Sequence, residues 1–172
     1  VSVCIDQQQR LNELRQIWTQ KSNLPPALQQ LIEQWGKVGK TFINVRMGIA
    51  TGPIVVGNMG SKTRADYTMM GDTVNLAARL ESLQKFYGTS IAVNEEVYKS
   101  LTDDVCARPL DILRVVGKTE GTSVFEIIGK KDTLAEDTLR SIKVYEEAIK
   151  AYRNFDFLHA RELFVQALSL KP

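Results

Sequence analysis

The sequence predicts an α+β domain over residues 1–130, followed by an αα-hairpin over residues 131–172. Three observations predict this. Helical and extended hydrophobic periods alternate as far as Ile128, as in a layered helix-and-sheet domain. Beyond Thr138 only the helical period remains. The chain has 172 residues, 44% of them hydrophobic and 24% charged, which suits one soluble domain and a small appendage.

The elements follow in order. Cys4, Leu11, Leu14, Ile17 and Trp18 recur at helical spacing among polar residues and predict an amphipathic helix over residues 1–20. Lys21 to Asn23, then Pro25 and Pro26, end it. Leu28 to Trp35 predicts a short helix closed by Gly36 and Gly39. Phe42 to Ala50 is rich in β-formers and predicts a strand, which Thr51-Gly52-Pro53 turns. Ile54 to Val56 resumes the extended pattern, Gly57 to Asp66 predicts a polar loop, and Tyr67 to Met70 a short strand. Gly71-Asp72 opens a helix that runs to about Tyr87 and carries Leu76, Leu80 and Leu83 on one face, with Asp72 expected as its N-cap. Ser90 to Val93 is a strand and Glu95 to Leu101 a short helix. Leu113 to Val116 and Val124 to Ile128 predict a hairpin. In the tail, Ile142, Tyr145, Ile149 and Tyr152 define one helix, Asn154 to Asp156 break it, and a second helix carries Ala160, Leu163, Phe164, Ala167 and Leu168.

Composition removes several chemistries. Lys and Arg number 22 against 20 Asp and Glu, so the net charge of +2 gives no reason to expect nucleic acid. No apolar run approaches the roughly 20 residues that span a bilayer. Two distant thiols, Cys4 and Cys106, form neither a zinc pattern nor a disulfide framework, and read as buried residues of a reducing cytoplasm. His159 is the lone histidine and no G-x-S-x-G elbow occurs, which excludes Ser-His and Cys-His nucleophile mechanisms. The glycines at 52 and 57 do not form a Walker A loop, because Asn58 and Met59 follow instead of Lys and Ser.

Asn75 and Arg79, four apart near the start of a helix, share one face. An amide can hold a sugar oxygen, and a guanidinium can take two phosphate oxygens at once. Spacing alone favours a solvated polar face.

The run RMGIATGPIVVGNMGS, followed by YTMMGDTVNLAARLE and later by LRVVGKTEGTSVFEI, resembles the catalytic domain of class III nucleotidyl cyclases. The resemblance spans residues 1–128 and implies a ferredoxin-like sandwich lacking its N-terminal strands. It also implies head-to-tail dimers with active sites at the interface. Asn75 matches the asparagine that orients the ribose, and Arg79 the arginine that stabilises the transition state at the α-phosphate. Thr68 matches the purine-selecting position, where Asp or Thr marks adenylate cyclases.

Two departures stand out. The family's two metal-binding aspartates and its purine-contacting lysine precede the first helix, and no such segment is present in this chain. The family's triphosphate-binding lysine falls on Val116, which leaves Lys118 or Arg114 to reach the phosphates, against the alternative of an exposed hairpin lysine. The resemblance therefore implies a piece of a cytoplasmic adenylate cyclase that, when intact, converts ATP to cyclic AMP as a homodimer. Two Mg²⁺ or Mn²⁺ ions would be held by the absent segment, and this chain alone is expected to be inactive. Guanylate cyclase, or a degenerate interaction module, are the rival readings. In the tail, Ala148, Ala160, Phe164, Ala167 and Pro172 resemble one tetratricopeptide repeat, a surface for a protein partner; a plain two-helix extension packed on the domain is the other reading.

Overall fold

The computed structural model describes residues 1–19, 24–37, 43–61, 63–114 and 121–170. The expected helix stop at Lys21–Asn23, the hairpin bend at Gly117, Val116, Lys118 and Pro172 lie outside them. The elements run α1 (Ser2–Thr19), α2 (Pro26–Lys37), β1 (Met47–Ile49), β2 (Val55–Gly60), β3 (Ala65–Met70), α3 (Asp72–Tyr87), β4 (Ile91–Asn94), α4 (Glu95–Lys99), β5 (Val105–Arg114), β6 (Gly121–Lys130), α5 (Glu136–Arg153) and α6 (Phe157–Leu170).

Four strands form one mixed sheet in the order β1-β4-β6-β5. β1 lies parallel to β4, and the other pairings are antiparallel. A parallel pair needs a crossover, and α3 supplies it. β4 is buried along its whole length, and its alternation divides the core. Ile91 and Val93 pack with Ile5 of α1 and Val97 of α4, while Ala92 packs with Leu76 and Leu80 of α3. Helices therefore cover both faces of β4. Leu76 and Leu80 form the seam between α3 and the sheet, whereas Leu83, expected on the same stripe, is only half-buried and Gln84 takes the buried place beside it.

One glycine sets how close that seam can be. A Cβ on Gly48 of β1 would stand 2.2 Å from the Ala77 carbonyl oxygen and 2.5 Å from the Glu81 nitrogen. Only a residue without a side chain lets β1 lie directly against the α3 backbone.

β2 and β3 make a separate two-stranded sheet, in register from Val55↔Met70 to Gly60↔Ala65. This corrects the expected loop over Gly57 to Asp66, most of which is strand. The ribbon buries no face, so the inward-outward alternation that marks a strand is missing from its sequence. β5 is likewise longer than expected. Pro109, the charges of Arg108, Asp111 and Arg114, and register shifts at Cys106/Ala107 and Pro109/Asp111 mask its period. β1 is shorter than expected, with residues 43–46 outside any strand. Cys106 is buried as expected, but Cys4 is only half-buried.

The tail folds as the expected αα-hairpin. Ala148, Ala160 and Ala167 are buried, Ser141 Oγ donates to the Ala167 carbonyl at 2.9 Å, and Tyr145 meets Phe164 edge-on.

Candidate active site

The site is built on α3, whose start is fixed from three sides. Gly71 is the N-cap at φ 140°, a left-handed conformation that suits glycine, and it turns the chain sharply out of β3. This corrects the expectation for Asp72, which lies inside the first turn; its carboxylate there complements the helix dipole. Thr73 Oγ1 donates to the Pro53 carbonyl at 2.9 Å. The Asn94 amide spans the same loop from the other side: its Nδ2 donates to the Thr51 carbonyl, and its Oδ1 accepts from the Thr51 and Val97 backbone N–H groups. Turn 51–53 is thus stitched to the starts of both α3 and α4.

On this support Asn75 and Arg79 project one turn apart, both exposed. Among the described residues neither side chain has a hydrogen-bond or ion-pair partner. Arg79 borders a cavity of about 410 Å³ together with Leu76, Leu83, Phe86, Leu113 and Arg114. The structure thus brings Arg114, at the end of β5, to the same cavity as Arg79. Thr68 stands elsewhere, exposed on β3 opposite Gly57, in the ribbon that leads into α3. Lys118 lies outside the described residues.

The second half of α3 is anchored by residues that pattern reading did not single out. Gln84, only 1% exposed, donates from Nε2 to the Met47 carbonyl of β1 at 2.9 Å. Its place four residues after Leu80 on the buried stripe was the available signal. Glu81 pairs with Arg46 at 2.9 Å. The Tyr87 hydroxyl donates to Asp111 Oδ2.

That last bond raises the Tyr87 pKa from its ordinary 10 to about 12, chiefly because the Asp111 carboxylate accepts the phenolic proton, with burial and the Asp111 charge adding to it. A raised pKa stabilises the fold below the unfolded value of about 10, and that contribution fades as pH climbs toward 12. Tyr87 is 40% exposed, so solvent screens the effect. Tyrosinate absorbance of the wild type minus that of Tyr87→Phe should show one group titrating near 12. A difference curve centred at the ordinary value would show that the bond does not form in solution.

Asp72, Glu95 and Glu96 line a cleft of about 290 Å³ beside turn 51–53. They do not converge, and among the described residues no group of three His, Cys, Asp or Glu side chains could hold a metal ion. These carboxylates do not fit a two-ion centre. No helix among the described residues is long and apolar enough to cross a membrane.

α3 thus lies against the parallel β1–β4 pair and presents an amide and a guanidinium from one face. The family model described as "Adenylate and Guanylate cyclase catalytic domain" matches residues 9–129, and the chain belongs to that family, the class III nucleotidyl cyclases. Among curated relatives, Adenylate cyclase 1 of Rhizobium meliloti is 44% identical over 91 residues, covering 53% of this chain and 14% of that protein. The adenylate cyclase of Anabaena cylindrica is 39% identical over 97 residues, covering 55% and 19%. This chain therefore spans less than a fifth of the length of either. The crystal structure of the adenylyl cyclase CyaB from P. aeruginosa is 33% identical with a TM-score of 0.46, covering 63% of this chain and 55% of that one.

Proposed function

We propose that the complete protein is an adenylate cyclase, with this chain supplying the half of the site that holds the ribose and the α-phosphate. One observation carries the reading. Asn75 and Arg79, in the family's motif, stand exposed one turn apart on a helix locked at its start, without partners among the described residues. Asn75 orients the ribose so that its 3′-hydroxyl faces the α-phosphate. That oxygen forms the new bond to phosphorus, the hydroxyl proton is lost, and pyrophosphate departs. Arg79 meets the charge that grows on the α-phosphate oxygens, and costs no reorganisation when it does. Arg114, beside the same cavity, takes the role of cation for the outer phosphates. The metal ions expected of the family need ligands other than the described residues, and no step here runs through them.

Thr68 is read as the contact to the purine. Its hydroxyl can accept from the adenine amino group, but it can also donate. The names of the two curated relatives support ATP over GTP. A second copy is read as the dimer partner. The β2–β3 ribbon supports this by exposing Val56, Tyr67 and Met69 on one face and Val55 and Met70 on the other, apolar side chains that a covering partner would bury. The free thiols accord with action in the cytoplasm. The tail is read as a tetratricopeptide-like hairpin. The buried alanines between its helices support that, and exposed Leu158, Val165 and Leu168 support contact with a protein partner.

The test is to incubate the purified complete protein with ATP or GTP and Mg²⁺ or Mn²⁺, and to separate the products. Cyclic AMP in excess over cyclic GMP is the expected result. Dominant cyclic GMP would reassign Thr68, and no cyclic nucleotide under any condition would leave an interaction module.

A further inference from the structure

The helix that presents Arg79 is connected to the C-terminal hairpin through β5. Tyr87 closes α3, and its hydroxyl donates to Asp111. Asp111 follows the irregularity in β5, where Pro109 pairs with Phe125 and Asp111 with Val124, leaving Leu110 as an extra residue. Such a bulge turns consecutive side chains toward one side. Leu110 enters the core beside Leu76 and Leu80, and Asp111 reaches the end of the same helix.

Three residues earlier, Arg108 pairs with Glu126 of β6 at 2.6 Å, with both side chains largely buried. The Arg108 guanidinium also lies over the Tyr145 ring of α5, 4.7 Å from its centroid. Tyr145 in turn meets Phe164 of α6 edge-on, with ring centroids 5.6 Å apart. A planar cation held by a carboxylate below and a ring above has little freedom to move. Contacts therefore run from α6 through Tyr145 to Arg108, and from Asp111, three residues further along the β5 backbone, to Tyr87.

We propose that Tyr87 and Asp111 are positioning residues for Arg79, and that the α5–α6 hairpin secures them by seating Tyr145 on the Arg108–Glu126 pair. The proposal rests on the cyclase reading for its effect on rate, but not for its effect on α3. The proton affinities agree with the geometry: Tyr145 contributes to raising the Tyr87 pKa, and Asp111 contributes to raising that of Tyr145, whose largest cause is burial. The hairpin thereby becomes part of what holds a phosphate-binding side chain in place, because small misplacements of such a group are costly to rate.

The experiment uses the complete protein with Tyr87→Phe, Tyr145→Leu and both together. Each single change is expected to lower kcat for ATP about tenfold with KM nearly unchanged, and the double to fall no further than the worse single. Asp111→Asn keeps an acceptor for the Tyr87 hydroxyl and should retain wild-type kcat. Losses that multiply in the double variant, or lower melting temperatures with unchanged kcat, would overturn the proposal. A second readout is independent of turnover. Tyr145→Leu should speed hydrogen exchange of the amides at Gln84 to Gly88 about tenfold while leaving β4 unchanged. If the wild type makes no cyclic nucleotide, the cyclase reading fails. The exchange measurement still decides whether the hairpin holds α3, and unchanged exchange there refutes it.

Discussion

Arg79→Ala in the complete protein should lower kcat for ATP by about a hundred- to a thousandfold, roughly 3–4 kcal/mol of barrier, the loss that follows removal of one preorganised donor to a developing oxyanion. The KM should change far less, because the charge that Arg79 meets is greatest in the transition state. Stability should be untouched within about 0.5 kcal/mol, since the side chain is exposed and unpartnered among the described residues. Arg79→Lys should fall between the two, because it keeps the charge but loses the two-pronged geometry. Steady-state rates paired with thermal unfolding of the same preparations make the check. Unchanged kcat in Arg79→Ala would remove this residue from the chemistry and, with it, the main support for the functional reading.

Gly48→Ala should strongly destabilise the domain through a single added methyl group. The added carbon would overlap the Ala77 carbonyl oxygen at 2.2 Å, and backbone has no rotamer to escape into. α3 must then lift from β1, at a cost of about 3 kcal/mol, typical of overpacking that moves backbone. For a chain of this size the melting temperature should drop by roughly 6–12 °C. Gln84 would lose its bond to the Met47 carbonyl in the same movement. Circular dichroism melts of wild type and variant measure this. A melting temperature within a degree of wild type would mean that α3 does not lie as close to β1 as described.

Much of this was legible in the residue order, for physical reasons that differ by element. α3 was legible because Leu76 and Leu80 repeat at the helical period and one face is buried. The tail was legible because Asn154 to Asp156 interrupt two clean helical stripes. The β2–β3 ribbon was half-legible: its apolar ends read as extended, but Gly57, Asn58 and Gly60 read as loop, and none of its residues is buried deeply enough to impose a full alternation. For the site, spacing alone put Asn75 and Arg79 on one face, and the surrounding motif gave the pair its meaning. The approach of Gly48 to Ala77, and the two hydrogen bonds between Asn94 and Thr51, depend on segments 29 and 43 residues apart meeting in space. No local pattern encodes such a meeting. The Arg108–Tyr145 contact is hidden for the same reason.

The division of the described strands into two sheets has a consequence for which residues can be exchanged. Thr68 sits exposed on a ribbon that, among the described residues, shares no strand pairing with the main sheet, whereas Gly48 and Leu80 are wedged where that sheet meets α3. Exchanging an exposed ribbon residue costs the fold almost nothing, whereas exchanging a wedged one risks the whole domain. Substitutions at position 68 should therefore leave the domain folded, one mutation at a time, whereas those on the buried face of α3 should not. On the proposed reading of Thr68 and Arg79, the purine contact is the part of the site that the fold leaves free to change, and the helix behind the phosphate contact is the part it holds fixed.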